Sequence, residues 1–182
     1  KIGEELGLSP DQMRALARGT IVHDVGKIRI PDAILNKPGK LTPEERAVIE
    51  QHPMVGYEIC RLLGFMKEEL DIIRYHHERW DGTGYPEGLA GEQIPLLARV
   101  VAVADVYDAL TSNRAYRPAC THEETLELIR KGRGTHFDPR CVDAWLRICA
   151  REPKVYEYPN TLIGQHRLQA FSAPSNPPGV SS

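Results

Sequence analysis

The sequence lacks an excess of either charge. It carries 23 lysine and arginine residues against 25 aspartate and glutamate residues, for a formal net charge of −2. Proteins that bind nucleic-acid polymers usually carry a marked basic excess, so no DNA or RNA polymer is predicted as a partner. The balance still allows a basic pocket for one small anionic ligand.

A long apolar run and a paired-cysteine motif are also missing. The longest apolar stretch, residues 94–110, is interrupted by Arg99, Asp105 and Asp108 and is too short to span a bilayer. None of the four cysteines forms a CxxC pair, so we expect thiols in a reducing compartment. The sequence therefore predicts a cytoplasmic protein with no membrane segment in this chain.

Alternating patterns typical of strands are absent, and the start signals are those of helices. Ser9-Pro10, Thr42-Pro43 and Thr121 each have Gln or Glu three residues after the Ser or Thr, which is a capping box. Asp138-Pro139 is a further start signal. The sequence predicts an all-α fold with helices at residues 10–24, 42–50, 53–63, 67–79, 94–112, 122–131 and 139–151.

Composition divides the chain at residue 152. We interpret residues 1–152 as one domain and predict a disordered or irregular tail at residues 153–182, which contains Pro174-Ser175-Asn176-Pro177-Pro178-Gly179. The opening segment, residues 1–7, has the pattern of the last turns of a helix. We therefore expect an N-terminally incomplete domain, with its first helix truncated, from a longer protein.

Several histidines and one aspartate have ordinary explanations when each is taken alone. His23 and Asp24 follow a mostly apolar helix, where a histidine interacts favourably with the helix dipole. His52 lies between two predicted helices, as a solvated loop residue often does. His76 and His77 end a predicted helix and point about 100° apart, so they can face different neighbours.

Asp105 is the most informative of the candidate residues. It lies in a helix that is apolar nearly all round, which indicates a central buried helix. A carboxylate in that position is costly unless it is paired or bound to a metal. An ion pair with Arg99 or Arg114 is the structural alternative, and Asp108 one turn later could equally be a cap or a pair.

Together these side chains form a mixed imidazole and carboxylate set. Three or more histidines with a carboxylate able to bridge are the composition of a di-metal hydrolase centre. The mixture suits Fe, Mn, Co, Ni or Zn and disfavours Ca or Mg. The candidate ligands are His23, Asp24, His52, His76, His77 and Asp105. Sequence spacing alone does not bring them together in space.

Longer motifs around these residues resemble the HD-GYP family. The resemblance covers roughly residues 5 to 150. Its motifs are His23-Asp24-Val25-Gly26-Lys27-Ile28, His52-Pro53, YHHERWDGTGYP at residues 75–86, ADVYDA at 104–109, TSNRAYR at 111–117 and GTHFDP at 134–139.

The resemblance implies an HD-domain-like helical bundle with a buried metal centre. It implies hydrolysis of the bacterial second messenger cyclic di-GMP, with the end product, linear pGpG or GMP, left open. The six candidate ligands would hold two divalent transition-metal ions, or three, with Fe or Mn favoured. Members with three ions use a further ligand from a helix upstream of the His-Asp pair. That helix is largely missing here, so the number of ions stays open.

The resemblance also assigns roles to individual residues. Asp24 would be the bridging carboxylate, and Lys27 would stabilise charge on the phosphate. The expected substrate contacts are Lys27, Asp81, Gly84, Tyr85, Pro86, Arg114 and Arg117. Without the resemblance, the two arginines would be interpreted as solvated surface residues and the glycine-rich loop as a plain connector.

Partners and alternatives follow from the same comparison. The resemblance implies that the loop Gly84-Tyr85-Pro86 contacts diguanylate-cyclase domains. A sensor or receiver domain is expected N-terminal to this segment. A homodimer is the candidate assembly. One alternative function is another HD-superfamily nucleotide phosphohydrolase, which the stretch 76–86 disfavours. The other is a non-catalytic module that binds cyclic di-GMP or a partner, which the intact set of ligands disfavours.

Overall fold

The computed structural model describes residues 1–113 and 118–152. In these ranges the chain forms nine α-helices, with 3-10 turns at Val25–Arg29 and Gly91–Gln93. The helices are α1 Ile2–Glu5, α2 Pro10–Val22, α3 Asp32–Leu35, α4 Pro43–Ile49, α5 His52–Leu62, α6 Lys67–Tyr75, α7 Leu96–Thr111, α8 His122–Lys131 and α9 Pro139–Arg151. The predicted tail at residues 153–182 lies outside the described residues, as do Arg114 and Arg117.

The all-α prediction is confirmed. The described residues contain no β-sheet, and their only extended pairings are two isolated bridges, one of which joins Asp81 to Ala90. No helix in the described part of the chain has both the length and the apolar character that a bilayer crossing needs.

The predicted helix starts are present as hydrogen-bonded caps. The side chains of Ser9, Thr42 and Thr121 each accept a hydrogen bond from the backbone three residues on, and the returning Gln or Glu completes a capping box. At the start of α9 the carboxylate of Asp138 accepts a hydrogen bond from the backbone of Arg140 at 2.7 Å. Local side-chain chemistry therefore sets these four starts.

Helix ends differ from the prediction at the functional residues. Helix α2 ends at Val22 and α6 at Tyr75, so His23 and His76 occupy the C-cap positions. His52 was expected in a loop, but it is the first residue of α5 and is buried. In each case the imidazole bonds a carbonyl of the last turn of the helix before it, a contact that apolar periodicity does not reveal.

Helix α7 is the centre of the fold. Its residues from Leu97 to Val103 are all buried, and the helix packs against α2, α6, α8 and α9. One cluster of buried side chains joins α7 to α8 and α9, and a second joins it to α2 and α6 through Ala15 and Ile72. The predicted central helix is therefore present, and Asp105 lies on it just beyond the fully buried segment.

A buried ion pair fixes α7 to the start of α9. Arg99 Nη1 donates to Asp138 Oδ2 at 2.7 Å, and the side chains are 8% and 0% exposed. The alternative in which Arg99 pairs with Asp105 is therefore wrong, because its guanidinium is engaged by Asp138. Arg114, the other partner considered for Asp105, lies outside the described residues.

Removal of one partner of this ion pair should destabilise the fold strongly. We expect Asp138→Ala to lower the free energy of unfolding by about 3–5 kcal/mol, because it leaves the Arg99 charge buried without compensation. Urea denaturation would measure the change. Asp143→Ala is the control, because Asp143 makes an exposed ion pair with Arg133 and should have little effect. A loss below about 1 kcal/mol for Asp138→Ala would contradict this account.

Candidate metal centre

Four parts of the chain bring the candidate ligands to one place. His23 and Asp24 follow α2, His52 begins α5, His76 and His77 follow α6, and Asp105 lies on α7. Two glycines allow the turn after Asp24 to lie directly on the start of α5. A Cβ atom added to Gly26 would stand 2.0 Å from the carbonyl oxygen of His52 and 2.6 Å from the nitrogen of Gly56. No side chain fits at that position.

The distances describe one continuous cluster centred on Asp24. Its Oδ1 lies 3.3 Å from His52 Nε2 and 3.9 Å from His76 Nε2. The ligand atoms of Asp24, His52, His76 and His77 all lie within 4.8 Å of one another, a group that could hold a metal ion.

His23 and Asp105 extend this cluster. His23 Nε2 is 3.6 Å from Asp24 Oδ2 and 3.6 Å from Asp105 Oδ1. All six candidate ligands are thus connected through short contacts between atoms that can bind a metal. Asp24 belongs to the group with His52, His76 and His77, and it also contacts His23.

Main-chain carbonyls determine which imidazole nitrogens carry protons. The Nδ1–H of His23 donates to the Thr20 carbonyl at 2.6 Å, and that of His52 donates to the Ile49 carbonyl at 2.8 Å. His76 Nδ1 lies 3.0 Å from the Ile73 carbonyl and is satisfied in the same way. With the proton on Nδ1, the Nε2 atom of each ring offers a lone pair.

The interior of the cluster consequently contains acceptors that face one another. The Nε2 atoms of His52 and His76 are 3.4 Å apart, although neither carries a proton in this tautomer. His23 Nε2 and Asp24 Oδ1 are buried and have no hydrogen-bond donor among the described residues. Buried acceptors without donors are unfavourable, and a bound cation would satisfy all of them. The donor set therefore fits a divalent transition metal.

The pKa shifts of His76, His77 and Asp24 favour the protonation states in which these side chains bind a cation. Burial, followed by the charges of neighbouring histidines, lowers the pKa of His76 to about 4 and that of His77 to about 2. Burial acts to raise the pKa of Asp24, but the adjacent His52 imidazole and then the Lys27 ammonium group outweigh it and hold the pKa well below its usual range. At neutral pH these groups are neutral imidazoles and an ionised carboxylate, the forms that coordinate metals.

His23 and Asp105 influence each other. Burial alone would lower the pKa of His23, but the Asp105 carboxylate, the Thr20 carbonyl and the Asp24 charge raise it overall. Burial tends to raise the pKa of Asp105, and His23 more than offsets this effect. The two carboxylates therefore make this side of the cluster attractive to positive charge.

Lys27 forms a hydrogen bond with the Oδ2 atom of Asp24. Its Nζ donates to Asp24 Oδ2 at 2.5 Å, which leaves Oδ1 directed at His52 and His76. The lysine is three residues after Asp24, so the 3-10 turn brings the two side chains together. In this structure Lys27 orients Asp24 and supplies a partly exposed positive charge beside the cluster.

The glycine-rich loop after α6 packs one aromatic ring on the cluster. The ring of Tyr85 stacks on His77 with centroids 4.8 Å apart and planes 27° apart. Gly82 has a φ of +79°, and a Cβ atom at Gly84 would stand 2.4 Å from the backbone nitrogen of Arg79. The loop therefore needs glycine at both positions. Pro86 follows through a cis peptide bond.

Asp81 stabilises this loop through hydrogen bonds to other residues of the loop. Its carboxylate accepts hydrogen bonds from the backbone and the hydroxyl of Thr83 at 3.0 and 2.6 Å. It also pairs with Arg79, which donates to the Thr83 hydroxyl at 2.8 Å. These contacts, first the Thr83 bond and then Arg79, lower the pKa of Asp81 to about 2.

Glu78 supports the loop beside the cluster, a role that the sequence did not reveal. It is buried, and its carboxylate accepts hydrogen bonds from the backbone of Glu87 at 2.7 Å and of Leu89 at 3.0 Å. Both amides belong to the loop that carries Tyr85, so Glu78 holds that loop against the end of α6. The available signal was its position in His76-His77-Glu78, where a carboxylate follows two candidate ligands.

A cleft of about 310 Å³ opens beside the cluster, and His77 lines it. The other lining residues are Arg46, Glu50, Arg79, Thr83, Gly84, Tyr85 and His136. Arg46 lies on α4 and Glu50 is the C-cap residue of that helix, and no sequence motif pointed to either residue. His136 is neutral at pH 7, because burial and then the charge of Arg79 lower its pKa to about 4.

Comparisons with known proteins agree with this arrangement. A family model described as HD domain matches residues 1–141. The cyclic di-GMP phosphodiesterase response regulator RpfG of Xanthomonas campestris is 51% identical over 150 residues, which cover 80% of this chain and 39% of that protein. A cyclic di-GMP phosphodiesterase of Vibrio cholerae is 47% identical over 148 residues, covering 78% of this chain and 30% of that one.

A solved structure has a similar fold. The crystal structure of a cyclic GMP-AMP-specific phosphodiesterase of Vibrio cholerae matches 92% of this chain and 45% of its own, with a TM-score of 0.68 and 23% identity. At this identity the likeness concerns the fold alone. The chain spans well under half the length of the curated relatives described above.

Gly26→Ala should disrupt metal binding. We expect affinity for Mn²⁺ to fall at least about tenfold, because the added methyl group must push the start of α5, and with it His52, away from Asp24. Calorimetric titration would measure the affinity. Gly64→Ala is the control: its φ of +79° makes the substitution strain the local backbone, but nothing lies within 4 Å of an added Cβ atom, so Mn²⁺ affinity should stay close to that of the wild type. Equal affinity in the two variants would contradict the prediction.

Glu78→Ala should loosen the loop that carries Tyr85. We expect the backbone amides of Glu87 and Leu89 to exchange with solvent about tenfold faster or more, because their buried acceptor is lost. Hydrogen exchange resolved by residue would show the change. Glu69→Ala is a suitable control, because Glu69 is also buried but accepts from the backbone of Met66. Unchanged exchange at both loop amides would refute the assigned role.

Proposed function

The chain belongs to the HD-domain family, within its HD-GYP branch. From that membership we propose that it is a metal-dependent phosphodiesterase that hydrolyses cyclic di-GMP, with either linear pGpG or GMP as the end product. One observation carries the proposal. Unprotonated imidazole nitrogens and a carboxylate oxygen converge in a buried cluster without hydrogen-bond donors from the described residues. The two curated relatives described above are both named cyclic di-GMP phosphodiesterases, which supports the choice of substrate.

The proposed metal ligands are the six clustered residues. They are His23, Asp24, His52, His76, His77 and Asp105. Asp24 is the proposed bridging carboxylate, and its central position among the imidazoles supports this role. Two ions, or three, are proposed, with Fe or Mn favoured. When bound, such ions supply Lewis acidity and activate water for hydrolysis at neutral pH.

The residues of the chain then position the substrate and stabilise charge. Asp24 is held in place by Lys27, whose ammonium group also offers positive charge to a phosphate at the cluster. The loop bearing Asp81, Gly84, Tyr85 and Pro86 forms the adjoining wall and is proposed to contact substrate. Arg114 and Arg117 remain proposed substrate contacts, and both lie outside the described residues.

The wider setting is also a proposal. One relative is named a response regulator, and this chain spans 39% of its length, which supports an input domain elsewhere in the natural protein. The loop Gly84-Tyr85-Pro86 is partly accessible, so contact with diguanylate-cyclase domains is proposed through it. A homodimer remains the candidate assembly.

The alternatives differ in measurable ways. The fold is also found in a phosphodiesterase specific for cyclic GMP-AMP, and fold alone does not select the substrate. A panel of cyclic dinucleotides, nucleoside triphosphates and cyclic mononucleotides separates cyclic di-GMP hydrolysis from other HD-superfamily activities. A non-catalytic module would bind cyclic di-GMP without turnover, and elemental analysis should find little metal in it.

Asp105→Asn should abolish most of the activity. We expect cyclic di-GMP turnover to fall at least about a hundredfold in protein prepared with Mn²⁺ or Fe²⁺ under reducing, anaerobic conditions, because a metal ligand loses its charge. Asp24→Ala should have at least as large an effect, and His23→Ala should also lower turnover. The metal content of each variant, measured by elemental analysis, should fall together with turnover.

Asp108→Asn is the matched control for Asp105→Asn. Asp108 lies one turn further along α7 and is exposed, so turnover should stay close to that of the wild type. Wild-type turnover in Asp24→Ala would overturn the proposal. Equal losses in Asp105→Asn and Asp108→Asn would show that the effect comes from general damage to α7.

A further inference from the structure

The cleft beside the metal centre has a polar pair that the proposed mechanism does not use. Arg46 Nε on the last turn of α4 donates to Oε1 of the C-cap residue Glu50 at 2.7 Å, and both residues line the cleft. The side chains are 70% and 33% exposed. Within residues 1–113 and 118–152, neither has another ion-pair partner, so the remaining polar atoms of both groups are available to a ligand.

The cleft and the cluster share a wall. His77 belongs to both, and the ring of Tyr85, which also lines the cleft, stacks on it. The pKa of the Tyr85 phenol is influenced by charged groups of both the cleft and the cluster. Burial raises the pKa of the phenol, the charges of Glu50 and Asp24 add to the rise, and Arg46 opposes it. A ligand whose phosphodiester lies at the cluster can therefore extend a base into the cleft.

The charges of the cleft favour a base over a second phosphate. The Arg79 guanidinium is already paired with Asp81 and bonded to Thr83. His136 is neutral at pH 7, so it adds no positive charge. Arg46 is the remaining cation of the lining, and the Glu50 carboxylate lies directly against it. A phosphate placed there would be repelled by Glu50.

Guanine has hydrogen-bonding groups that match this pair. Its Watson–Crick edge presents an acceptor, O6, next to two donors, N1–H and the exocyclic amine. A guanidinium beside a carboxylate offers the complementary order, because arginine only donates and ionised glutamate only accepts. Adenine presents an unprotonated N1 where guanine has a donor, so its lone pair would face the carboxylate.

We infer that Arg46 and Glu50 recognise a guanine base, and that this cleft is the base subsite next to the phosphodiester site. The inference rests on the proposed function and deepens it, because it names the side chains that select guanine over adenine. Glu50 accepts from N1–H and the exocyclic amine, and Arg46 donates to O6. Tyr85 and His136 supply aromatic surface for the planar base.

Binding of mononucleotides tests the inference without relying on turnover. The 182-residue chain, loaded with Mn²⁺, is titrated with GMP and with AMP by calorimetry. We expect GMP to bind about tenfold more tightly or better, the discrimination that a good paired contact to a base provides. Glu50→Gln should remove most of this preference, because the amide replaces one acceptor with a donor.

Glu58→Gln is the matched control. Glu58 forms a similar exposed pair with Arg61 on α5, which does not line the cleft, so this variant should keep the preference for GMP. The inference is overturned if the wild type binds both nucleotides equally or if Glu50→Gln keeps the preference. It is also overturned if Glu50→Gln changes both affinities by the same factor, because that result indicates a phosphate site or a structural role.

The same variants separate this inference from the proposed function. Hydrolysis of cyclic di-GMP and cyclic di-AMP gives a ratio of kcat/KM values, and this ratio should fall about tenfold or more in Glu50→Gln. Absence of any hydrolysis by the wild type would count against the proposed function, while the mononucleotide titration would still report on the base subsite. Hydrolysis with an unchanged ratio would reject the subsite alone.

Discussion

The site depends on where three imidazole protons are placed. His23, His52 and His76 each direct Nδ1–H at a carbonyl in the last turn of a preceding helix. Carbonyls in that turn lack a full set of partners within their own helix, so the arrangement satisfies helix ends and imidazoles at once. Its consequence is that the unprotonated Nε2 atoms turn inward on Asp24. Such a group of buried acceptors is costly unless a cation is bound.

Close backbone packing turns this proton arrangement into a site with defined distances. The turn after Asp24 lies on the start of α5 because Gly26 has no side chain, and the loop after α6 reaches the cluster because Gly84 has none. Helix α7 contributes Asp105 from a buried, apolar scaffold that is tied to α9 through Arg99 and Asp138. Ligand positions are thus set by rigid contacts rather than by mobile side chains.

The cleft adjoins the cluster at His77, which belongs to both. The metal cluster suits the common chemistry of phosphodiesters, whereas the Arg46–Glu50 pair differs in chemistry from a simple anion site because it includes a carboxylate. Glu78 connects the two parts, since it holds the loop whose Tyr85 ring lies between them.

The sequence by itself determined the helical class, the four capped helix starts and the identity of the candidate metal ligands. These features are local: a capping box spans only four residues, and the motifs around His23, His76 and Asp105 are contiguous. Only the tertiary structure decided that His52 begins a helix and is buried, that Arg99 pairs with Asp138 rather than Asp105, and that Glu78, Arg46 and Glu50 lie near the site. Those facts depend on contacts between residues far apart in the chain, and on helix ends set by buried hydrogen bonds, which periodicity and local propensity do not encode.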